Sequence, residues 1–378
     1  MTEKKPKYLV LADWIKDQIK TGELKPGYKL NSENELGAMF HMSRQTVRHA
    51  IDVLEKESVI VKKQGSGTYV NNLFPQKRNI STMNIAIIST YVDTYIFPPI
   101  LNAMEKVISQ AGYTIQIAFT HNDTEKERSV LQNLMQKNMI DGIIVETTKS
   151  GIPNPNIDIY KEIIKQKIPV IFFNSYYKEL DLPHVSLDDR EAGRIITEYL
   201  IQEGHEDIAG IFKSDDGQGH LRYIGYADAL LKHGIKVRDD RVVWIDTEDM
   251  NHLHVIRKKL IKRLKDCTAC VCYNDQVANA LIPLLSRDGI RVPEDLSIGS
   301  IDNSELAELC EVPLTSAKHP MQLLGEKTAE SLLSIIENPD FNGTYEFEPT
   351  IQVRSSVKKH IRNQTKKEEA ADVEKKKL

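Results

Sequence analysis

Long apolar runs are missing from this sequence of 378 residues, since none approaches the ~20 residues that a helix needs to cross a bilayer. The segment from Met1 to Lys7 is polar and leads directly into an amphipathic stretch. It lacks the apolar core and the small-residue cleavage site of a signal peptide. These absences predict a protein that has no membrane partner and stays in the cytoplasm.

Cysteine is also scarce, because the chain contains four, too few for a disulfide framework in a protein of this length. Cys267, Cys270 and Cys272 are close enough to suggest a metal site, but they lack a second pair of ligands or nearby histidines. The segment 268–273 has the pattern of a buried strand. We therefore predict that these cysteines pack in a core and that no metal is bound.

The sequence has no recognisable catalytic constellation. Gly-Gln-Gly-His at 217–220 lacks the third glycine and the preceding strand-turn spacing of a dinucleotide fingerprint. His252 and His254 have no partner carboxylate at the spacing of metal ligands. The expectation is a protein that is not an enzyme and that carries no cofactor.

Charge is distributed unevenly along the chain. Residues 1–80 contain 14 lysines and arginines and 9 aspartates and glutamates, a net charge of +5, so the remainder carries −9. A basic N-terminal part on an acidic body is expected when only the first part binds nucleic acid phosphates.

The first 70 residues predict three helices followed by a hairpin. Residues 8–20 carry a broad apolar face, and the segment 32–40 opens with a Ser-Glu-Asn-Glu capping box. Ser43 caps a third helix. The segments 59–63 and 68–70 read as two strands around a glycine-rich turn.

The third helix is the most informative segment, because its apolar and basic side chains lie on opposite faces. Its apolar face is formed by Val47, Ala50, Ile51 and Leu54. Arg44, Gln45 and Arg48 then lie on the other side near the N-terminus, the end that enters the major groove in helix-turn-helix proteins. Arginine can bond guanine O6 and N7 together, and glutamine can do the same with adenine. An ordinary solvated face is the alternative.

Two further elements could contact DNA. Lys7 belongs to a basic lead before the first helix, and the hairpin turn at Gln64 and Gly65 follows two lysines. Such a turn can contact phosphate or enter a minor groove. The predicted DNA contacts are Lys7, Ser43, Arg44, Gln45, Thr46, Arg48, Gln64 and Gly65.

Residues 8–70 resemble the winged-helix domain of GntR-type regulators. The segments that carry the resemblance are Gly22–Gly27, Leu30–Leu36, Ser43–Arg48 and Gln64–Val70. It implies that a homodimer binds double-stranded operator DNA with two half-sites. Asn31 and Ser58 replace a proline and a glycine that are usual in that family, and neither position is an expected DNA contact.

From Asn84 onward, short apolar strands alternate with amphipathic helices. The predicted strands are Ile85–Ser89, Thr114–Ala118, Gly142–Glu146, Val170–Asn174, Ile208–Phe212, Val242–Ile245, Ala269–Tyr273 and Ser297–Ile301. This alternation predicts parallel sheets covered by helices on both faces. A break near Asp181–Asp189 indicates two lobes.

The whole pattern predicts a multidomain protein, a winged helix-turn-helix followed by a two-lobed α/β domain. Residues 1–70 form the DNA-binding domain and 71–82 a polar, proline-broken linker. Residues 83–360 form the effector-binding and dimerisation domain. The Lys/Glu-rich tail 361–378 is predicted to be disordered.

Polar residues follow several predicted strands, at the edge where open α/β sheets bind ligands. Glu146, Asn174, Asn274 and Asp302 have this position, and Arg222 is expected in the first turn of a helix. Their side chains can bond vicinal hydroxyls, although a local capping role suits each one equally well.

Aromatic and basic residues complete the predicted effector site. Tyr91, Tyr95 and Phe97 could cover the apolar face of a sugar ring. Lys149 and Lys213 are, with Arg222, the evident basic groups, too few for a phosphate site and more typical of an uncharged sugar. The predicted effector contacts are Tyr91, Tyr95, Phe97, Glu146, Lys149, Asn174, Lys213, Arg222, Asn274 and Asp302.

Residues 84–357 resemble the effector domain of LacI-type regulators, which is similar to periplasmic sugar-binding proteins. The matching segments include Asp141–Val145, Ile168–Phe173, Val185–Asp189, Arg222–Tyr226, Asn274–Gln276 and Val292–Ile298. By position, Arg222, Asn274 and Asp302 match the main effector contacts of that family, and Glu146 and Asn174 match secondary ones. The family's own helix-turn-helix and hinge helix are missing, and the GntR-type module stands in their place.

The combination of a GntR-type and a LacI-type part resembles the arabinose repressors of Gram-positive bacteria. Thr90–Pro98, Val145–Ser150 and Gly210–Gln218 add to this resemblance. It implies a transcriptional repressor that L-arabinose releases from DNA. Alternatives are a regulator of another sugar, a nucleoside or a sugar phosphate, a transport binding protein, and a sugar-converting enzyme.

Overall fold

The computed structural model describes residues 6–57, 59–63, 65–71, 81–137 and 139–361. It divides into two compact units, which we describe separately. Most of the predicted linker, 72–80, and nearly all of the predicted tail, 362–378, lie outside the described residues, as do Ser58 and Gln64. None of the described helices is both long enough and apolar enough to cross a membrane.

The first unit contains three helices and a hairpin, as predicted. The elements are α1 (Lys7–Lys20), α2 (Glu33–Phe40), α3 (Arg44–Lys56), β1 (Ile60–Lys63) and β2 (Gly67–Val70). The capping box is confirmed, because Ser32 Oγ accepts from the Glu35 N–H and the Glu35 carboxylate accepts from the Ser32 N–H. Apolar side chains from all three helices and the hairpin form one core, which includes Leu11, Ile15, Leu36, Val47, Leu54, Ile60 and Val70.

The second unit contains two six-stranded sheets. The first sheet, in lobe 1, has the order β13-β7-β6-β5-β3-β4, and all its neighbouring strands are parallel. Its strands are β3 (Asn84–Ser89), β4 (Thr114–Phe119), β5 (Gly142–Glu146), β6 (Val170–Phe173), β7 (His184–Leu187) and β13 (Tyr345–Phe347).

The second sheet, in lobe 2, has the order β14-β12-β11-β10-β8-β9, and only its β12–β14 pair is antiparallel. Its strands are β8 (Ile208–Lys213), β9 (Val242–Ile245), β10 (Ala269–Cys272), β11 (Ser297–Asp302), β12 (Thr315–Lys318) and β14 (Ile351–Gln352). Cys270 and Cys272 are buried thiols in β10, which confirms the predicted core packing.

Helices cover these sheets and close the core of each lobe. They are α4 (Phe97–Gln110), α5 (Thr124–Lys137), α6 (Ile157–Lys165), α7 (Asp189–Gln202), α8 (Gly217–Lys232), α9 (Thr247–Asn251), α10 (Arg257–Leu264), α11 (Asp275–Arg287), α12 (Glu305–Leu309) and α13 (Met321–Glu337). Apolar residues of α4 and α13 pack on lobe 1, whereas those of α7 and α8 pack on lobe 2.

Within the described residues, the chain passes between the lobes three times. The passages follow β7, β12 and β13, and they lead to α7, α13 and β14 respectively. All eight predicted strands are present within one residue at each end, and the two lobes are confirmed. The first passage, at Asp188, lies within the break expected near Asp181–Asp189, although β7 occupies the middle of that segment. The strands β7, β12, β13 and β14 were not predicted.

Candidate functional site

The exposed face of α3 is the first candidate site. Ser43 Oγ accepts from the Thr46 N–H at 3.2 Å and lies 2.8 Å from the Thr46 hydroxyl, so it caps the helix as predicted. The side chains of Arg44 and Arg48 are 65% and 57% exposed, while the opposite face is buried in the core. Gln45 is exposed beside them. The helix therefore presents a polar N-terminal end to a ligand.

Glu33, which the sequence analysis did not single out, holds both arginines. Arg44 Nε donates to Glu33 Oε2 at 2.9 Å, and Arg48 Nε donates to Oε1 at 3.2 Å. These bonds, those of Arg48 first, lower the pKa of Glu33. One carboxylate in the first turn of α2 thus keeps the two guanidinium groups side by side. The signal available in the sequence was its position within the GntR-like segment Leu30–Leu36.

The remaining predicted DNA contacts lie on other elements. Lys7 is the exposed first residue of α1, and Gly65 lies in the hairpin turn with a left-handed φ of 72°. A glycine at this position avoids the strain that a side chain would bring. Gln64, beside it, lies outside the described residues. The structure groups the α3 residues on one surface, whereas Lys7 lies on α1 and Gly65 in the hairpin turn.

The second candidate site is a cleft in the second unit, lined by residues of both lobes. Its volume is about 860 Å³, including the part that is open to solvent. Nine of the ten predicted effector residues line it: Tyr91, Tyr95, Phe97, Glu146, Asn174, Lys213, Arg222, Asn274 and Asp302. Lys149 does not, which corrects the prediction for that residue. It has a left-handed φ of 48°, and it lies in a neighbouring groove with Asn122 and Thr247.

Arg222 joins several parts of lobe 2 in the cleft and is almost completely buried. Its Nε donates to Asp189 Oδ1 at 2.7 Å, its Nη1 to the Tyr273 carbonyl at 2.6 Å, and its Nη2 to Asp302 Oδ1 at 3.1 Å. Burial acts to lower the pKa of Arg222, but the two carboxylates outweigh it and raise the pKa. Arg222 lies in the second turn of α8, not in the first as predicted, because the helix begins at Gly217.

Asp302 connects this cluster to lobe 1. Its Oδ2 accepts from the hydroxyl of Tyr95, a residue whose backbone is left-handed with a φ of 60°. Burial raises the pKa of Tyr95, so the phenol stays a proton donor at neutral pH. A hydrogen bond therefore runs directly from one lobe to the other through the cleft.

Glu146 anchors the lobe 1 side of the cleft. Its Oε2 accepts from the Thr90 N–H at 2.8 Å and from Ser89 Oγ at 3.2 Å, while its Oε1 accepts from Asn174 Nδ2 at 3.1 Å. Burial raises the pKa of Glu146, and these hydrogen bonds oppose the shift. Within the described residues, Asn174 Oδ1 has no partner although it is buried. Both side chains thus hold acceptors that a ligand hydroxyl could use.

Both cations that line the cleft are paired with carboxylates. Lys213 Nζ donates to Asp216 Oδ2 at 2.7 Å and lies 3.1 Å from Asp215 Oδ1. Lys213 and Arg222 therefore each have carboxylate partners. With Glu146 added, the lining contains three carboxylates and two cations. This balance disfavours an anionic ligand and suits a neutral polyhydroxyl one.

Aromatic side chains form the apolar side of the cleft. The rings of Tyr91 and Phe97 are 5.8 Å apart at 55°, and both pack on the lobe 1 core. Asn274 also has the capping role that its position allowed, because its Oδ1 accepts from the Val277 N–H at 3.0 Å. The polar and aromatic lining residues that the sequence analysis missed lie in loops or at the ends of helices: Thr90, Thr94, Asn122, Thr147, Ser175, Asp216, Gln218, Asn251, Tyr273 and Gln276.

Comparison with known proteins identifies the family. The profile of bacterial regulatory proteins of the gntR family matches residues 7–70, and that of the periplasmic binding protein-like domain matches residues 197–357. The chain is 37% identical over 358 residues to an arabinose metabolism transcriptional repressor of Geobacillus stearothermophilus, covering 93% of this chain and 98% of the relative. The chain belongs to the arabinose metabolism transcriptional repressor family.

A second repressor of this family, from Halalkalibacterium halodurans, is 38% identical over 365 residues, covering 93% of this chain and 96% of the relative. The crystal structure of the transcription regulator CcpA of Lactococcus lactis has a TM-score of 0.66 and 25% identity, covering 73% of this chain and 99% of that one. These findings confirm the predicted fold class and the prediction of a non-enzymatic transcriptional repressor.

One further residue of the repressor's cleft region, His319, escaped the sequence analysis. It follows β12 at a passage between the lobes, and its N–H donates to the Asp302 carbonyl at 3.1 Å. Its ring is buried, and neither ring nitrogen has a hydrogen-bond partner among the described residues. Burial lowers the pKa of His319 to about 4, although the carboxylate of Asp302 opposes the shift.

This buried imidazole predicts a pH dependence of stability. Between pH 6.5 and about 4, the imidazole of His319 is protonated in the unfolded chain but stays neutral in the folded protein. His319 therefore lowers the free energy of unfolding as the pH falls through this range. We expect His319→Met to flatten the decrease in the thermal midpoint between pH 6.5 and 4 and to change little at pH 8. Differential scanning fluorimetry at each pH measures this. The control His233→Met, at an exposed position, should keep the wild-type slope, and a wild-type slope for His319→Met would contradict the prediction.

Proposed function

We propose that this repressor is a cytoplasmic homodimer that binds operator DNA with α3 of each subunit and is released by L-arabinose bound in the inter-lobe cleft. The observation that carries the proposal is the cluster of Arg222, Asp302, Glu146 and Asn174, which come from both lobes and line one cavity. The names of the relatives, both repressors of arabinose metabolism, support the choice of sugar.

The chemistry of the cleft supports a neutral sugar. Arg222 supplies donors, and the free positions on Glu146, Asn174 and Asp302 supply acceptors for hydroxyl groups. A buried polar group that loses its partner costs about 1–3 kcal/mol, so such a set discriminates strongly between stereoisomers. Tyr91 and Phe97 provide an apolar wall for the ring face. A sugar phosphate is disfavoured, because both cations of the lining are already paired.

The proposed release follows from the position of the cleft between lobes. A sugar that contacts Arg222 in lobe 2 and Glu146 in lobe 1 prefers the arrangement in which both are within reach. It can shift the protein only as far as its affinities for the two arrangements differ. In a dimer, a change in this arrangement would alter the spacing of the two recognition helices, which must match half-sites about one helical turn apart.

The test measures sugar and operator binding with the same full-length protein. Operator DNA is first selected by the protein from a random duplex pool, and its affinity is then determined by gel shift with and without saturating L-arabinose. We expect the sugar to weaken operator binding, and operator DNA to weaken sugar binding by the same factor. Unchanged or tighter operator binding would overturn the proposed induction.

Calorimetry with several sugars identifies the effector. L-Arabinose should bind in preference to D-xylose, D-ribose and D-glucose, and ribose 5-phosphate should bind most weakly. If another sugar binds more tightly, that sugar is the effector in place of L-arabinose, and the cleft remains the proposed site. Analytical ultracentrifugation tests the homodimer, and a monomer at micromolar concentration would overturn that part of the proposal.

A further inference from the structure

The loop that follows β5, residues 147–156, contacts lobe 2 beside the sugar cleft, through residues that do not line it. The Gly151 N–H donates to the Asp215 carbonyl at 3.0 Å, and the Gly217 N–H donates to Ser150 Oγ at 3.0 Å. We call these four residues the latch. None of them lines the effector cavity. The two lobes are therefore joined at a second place, through contacts in which no sugar takes part.

The position of Gly151 shows how closely the two lobes approach here. A Cβ built on Gly151 would lie 2.7 Å from the carbonyl oxygen of Ser214 and 2.8 Å from the backbone nitrogen of Asp216. Both atoms belong to the backbone that follows β8 in lobe 2, so no flexible side chain can yield. The φ of Gly151 lies outside the left-handed region, so the loop itself can accept an alanine. A side chain at this position is thus excluded by the opposite lobe and not by its own.

A fully buried carboxylate holds the loop in place. Glu127 Oε2 accepts from Asn154 Nδ2 at 2.9 Å and from Asn156 Nδ2 at 2.8 Å, and both asparagines belong to the loop. Glu127 Oε1 accepts from the hydroxyls of Tyr160 and Tyr177 at 2.8 and 2.7 Å. A fully satisfied buried network of this kind is rigid. The loop therefore meets lobe 2 in a fixed shape.

A second bridge lies beside the latch. Asn122 Oδ1 accepts from the Lys149 N–H at 2.8 Å, and Asn122 Nδ2 donates to Thr247 Oγ1 in lobe 2 at 2.7 Å. Thr247 in turn donates to Asp215 Oδ2. Both bridges include Asp215, the latch through its carbonyl and the second bridge through its carboxylate.

We propose that Ser150 and Gly151 form a latch that stabilises the sugar-bound arrangement of the lobes, so that Gly151 sets the affinity for sugar without touching it. The inference rests on the function proposed above. If the sugar binds the arrangement that contains the latch, a substitution that destabilises this arrangement weakens sugar binding. Part of the binding free energy is then used to restore the arrangement. Gly151 is a positioning residue in this account.

The decisive variant is Gly151→Ala in the full-length protein. We expect L-arabinose to bind roughly 10- to 100-fold more weakly by calorimetry, since overpacking against backbone is costly. The sugar-free thermal midpoint should be unchanged or slightly higher, because the alanine is strained only when the lobes meet. Hydrogen exchange supplies a readout that general destabilisation would not give. Sugar should protect the amides of 147–153 and 214–218 in the wild type but not in the variant.

Two further variants serve as comparisons. Gly217→Ala adds the same methyl group on the facing side of the latch, where the nearest atom would be 3.4 Å away, so its effect should be much smaller than that of Gly151→Ala. Ser150→Ala removes the acceptor of one latch hydrogen bond and should weaken sugar binding by about 2- to 10-fold. If Gly151→Ala does not fold, Ser150→Ala still tests the latch.

The outcomes separate the latch from the proposed function. If the wild type binds L-arabinose and Gly151→Ala binds it equally well, the latch is wrong and the sugar site stands. Equal losses of sugar affinity in Gly151→Ala and Gly217→Ala would also overturn the latch, because an added Cβ meets the opposite backbone closely at Gly151 but not at Gly217. If the wild type binds no L-arabinose, the proposed effector fails and the latch fails with it.

Discussion

Arg222→Ala should abolish measurable binding of L-arabinose and destabilise the second unit by about 3–5 kcal/mol, the cost of breaking a buried ion pair from one side. The substitution leaves the carboxylates of Asp189 and Asp302 buried and without their shared cation. It also removes the donor to the Tyr273 carbonyl. Because three elements of lobe 2 are joined by this one side chain, both readouts should change together.

Urea denaturation measures the stability effect. The chain has two tryptophans, so a Trp14→Phe background leaves Trp244 on β9 as a reporter of lobe 2. The matched control is Arg190→Ala on α7, whose partner Asp228 lies at the surface and whose side chain is 59% exposed. An exposed pair contributes about 0–1 kcal/mol, so this variant should unfold nearly as the wild type does.

Asp302→Asn separates binding from stability. The amide keeps the shape of the side chain and leaves Arg222 paired with Asp189, so the loss of stability should be smaller than in Arg222→Ala. Sugar binding should still decrease strongly, because Asp302 loses its charge where both lobes meet. Wild-type sugar affinity in both Arg222→Ala and Asp302→Asn would show that the cleft is not the effector site.

Arg44→Ala and Arg48→Ala should each weaken operator binding by about 1–3 kcal/mol if the arginine contacts a base. Both side chains are exposed at the N-terminal end of α3, and Glu33 holds them side by side before DNA arrives. Sugar affinity should stay at the wild-type value, because the substitutions lie in the first unit. Gel shift at fixed salt measures the loss.

Lys56→Ala is the control for charge alone. It removes one exposed positive charge from the same helix at the opposite end. If α3 binds as proposed, this variant should lose far less affinity than Arg44→Ala, and it should lose it equally on operator and random DNA. If an arginine contacts only a phosphate, its removal should instead reduce the salt dependence of binding without changing sequence preference. Wild-type operator affinity in both arginine variants would contradict the assignment of α3 as the recognition helix.

The strands that could be predicted are those whose apolar character is visible in the sequence. β6 and the centre of β5 are runs of isoleucine, valine and phenylalanine, and parallel strands buried on both faces have this composition. β7 reads His-Val-Ser-Leu and β12 reads Thr-Ser-Ala-Lys. Their small and polar side chains give no apolar pattern in the sequence, although both strands are mostly buried. β13 and β14 contain three and two residues, too few for a periodic pattern.

The candidate site was predictable where position after a strand was sufficient. Glu146, Asn174 and Asp302 follow or end strands, and the topology brings them to one cavity. Lys149 lies three residues beyond its strand, and its left-handed backbone carries it into the neighbouring groove. Glu33, Asp189 and His319 were not predicted as site residues, because their importance comes from contacts with residues that are distant in the sequence or from burial.

The three passages of the chain between the lobes have a consequence for synthesis on the ribosome. The three helices and the hairpin of residues 7–70 share one core, so this part of the first unit can fold early. Lobe 1, begun at β3, lacks α13 and β13 until residue 347 has emerged, after nearly all of lobe 2 has been made. Translation proceeds at about 5–20 residues per second, so the winged-helix part of a nascent chain is complete many seconds before the sugar cleft is. Premature termination therefore yields fragments that keep the DNA-binding fold and cannot respond to sugar.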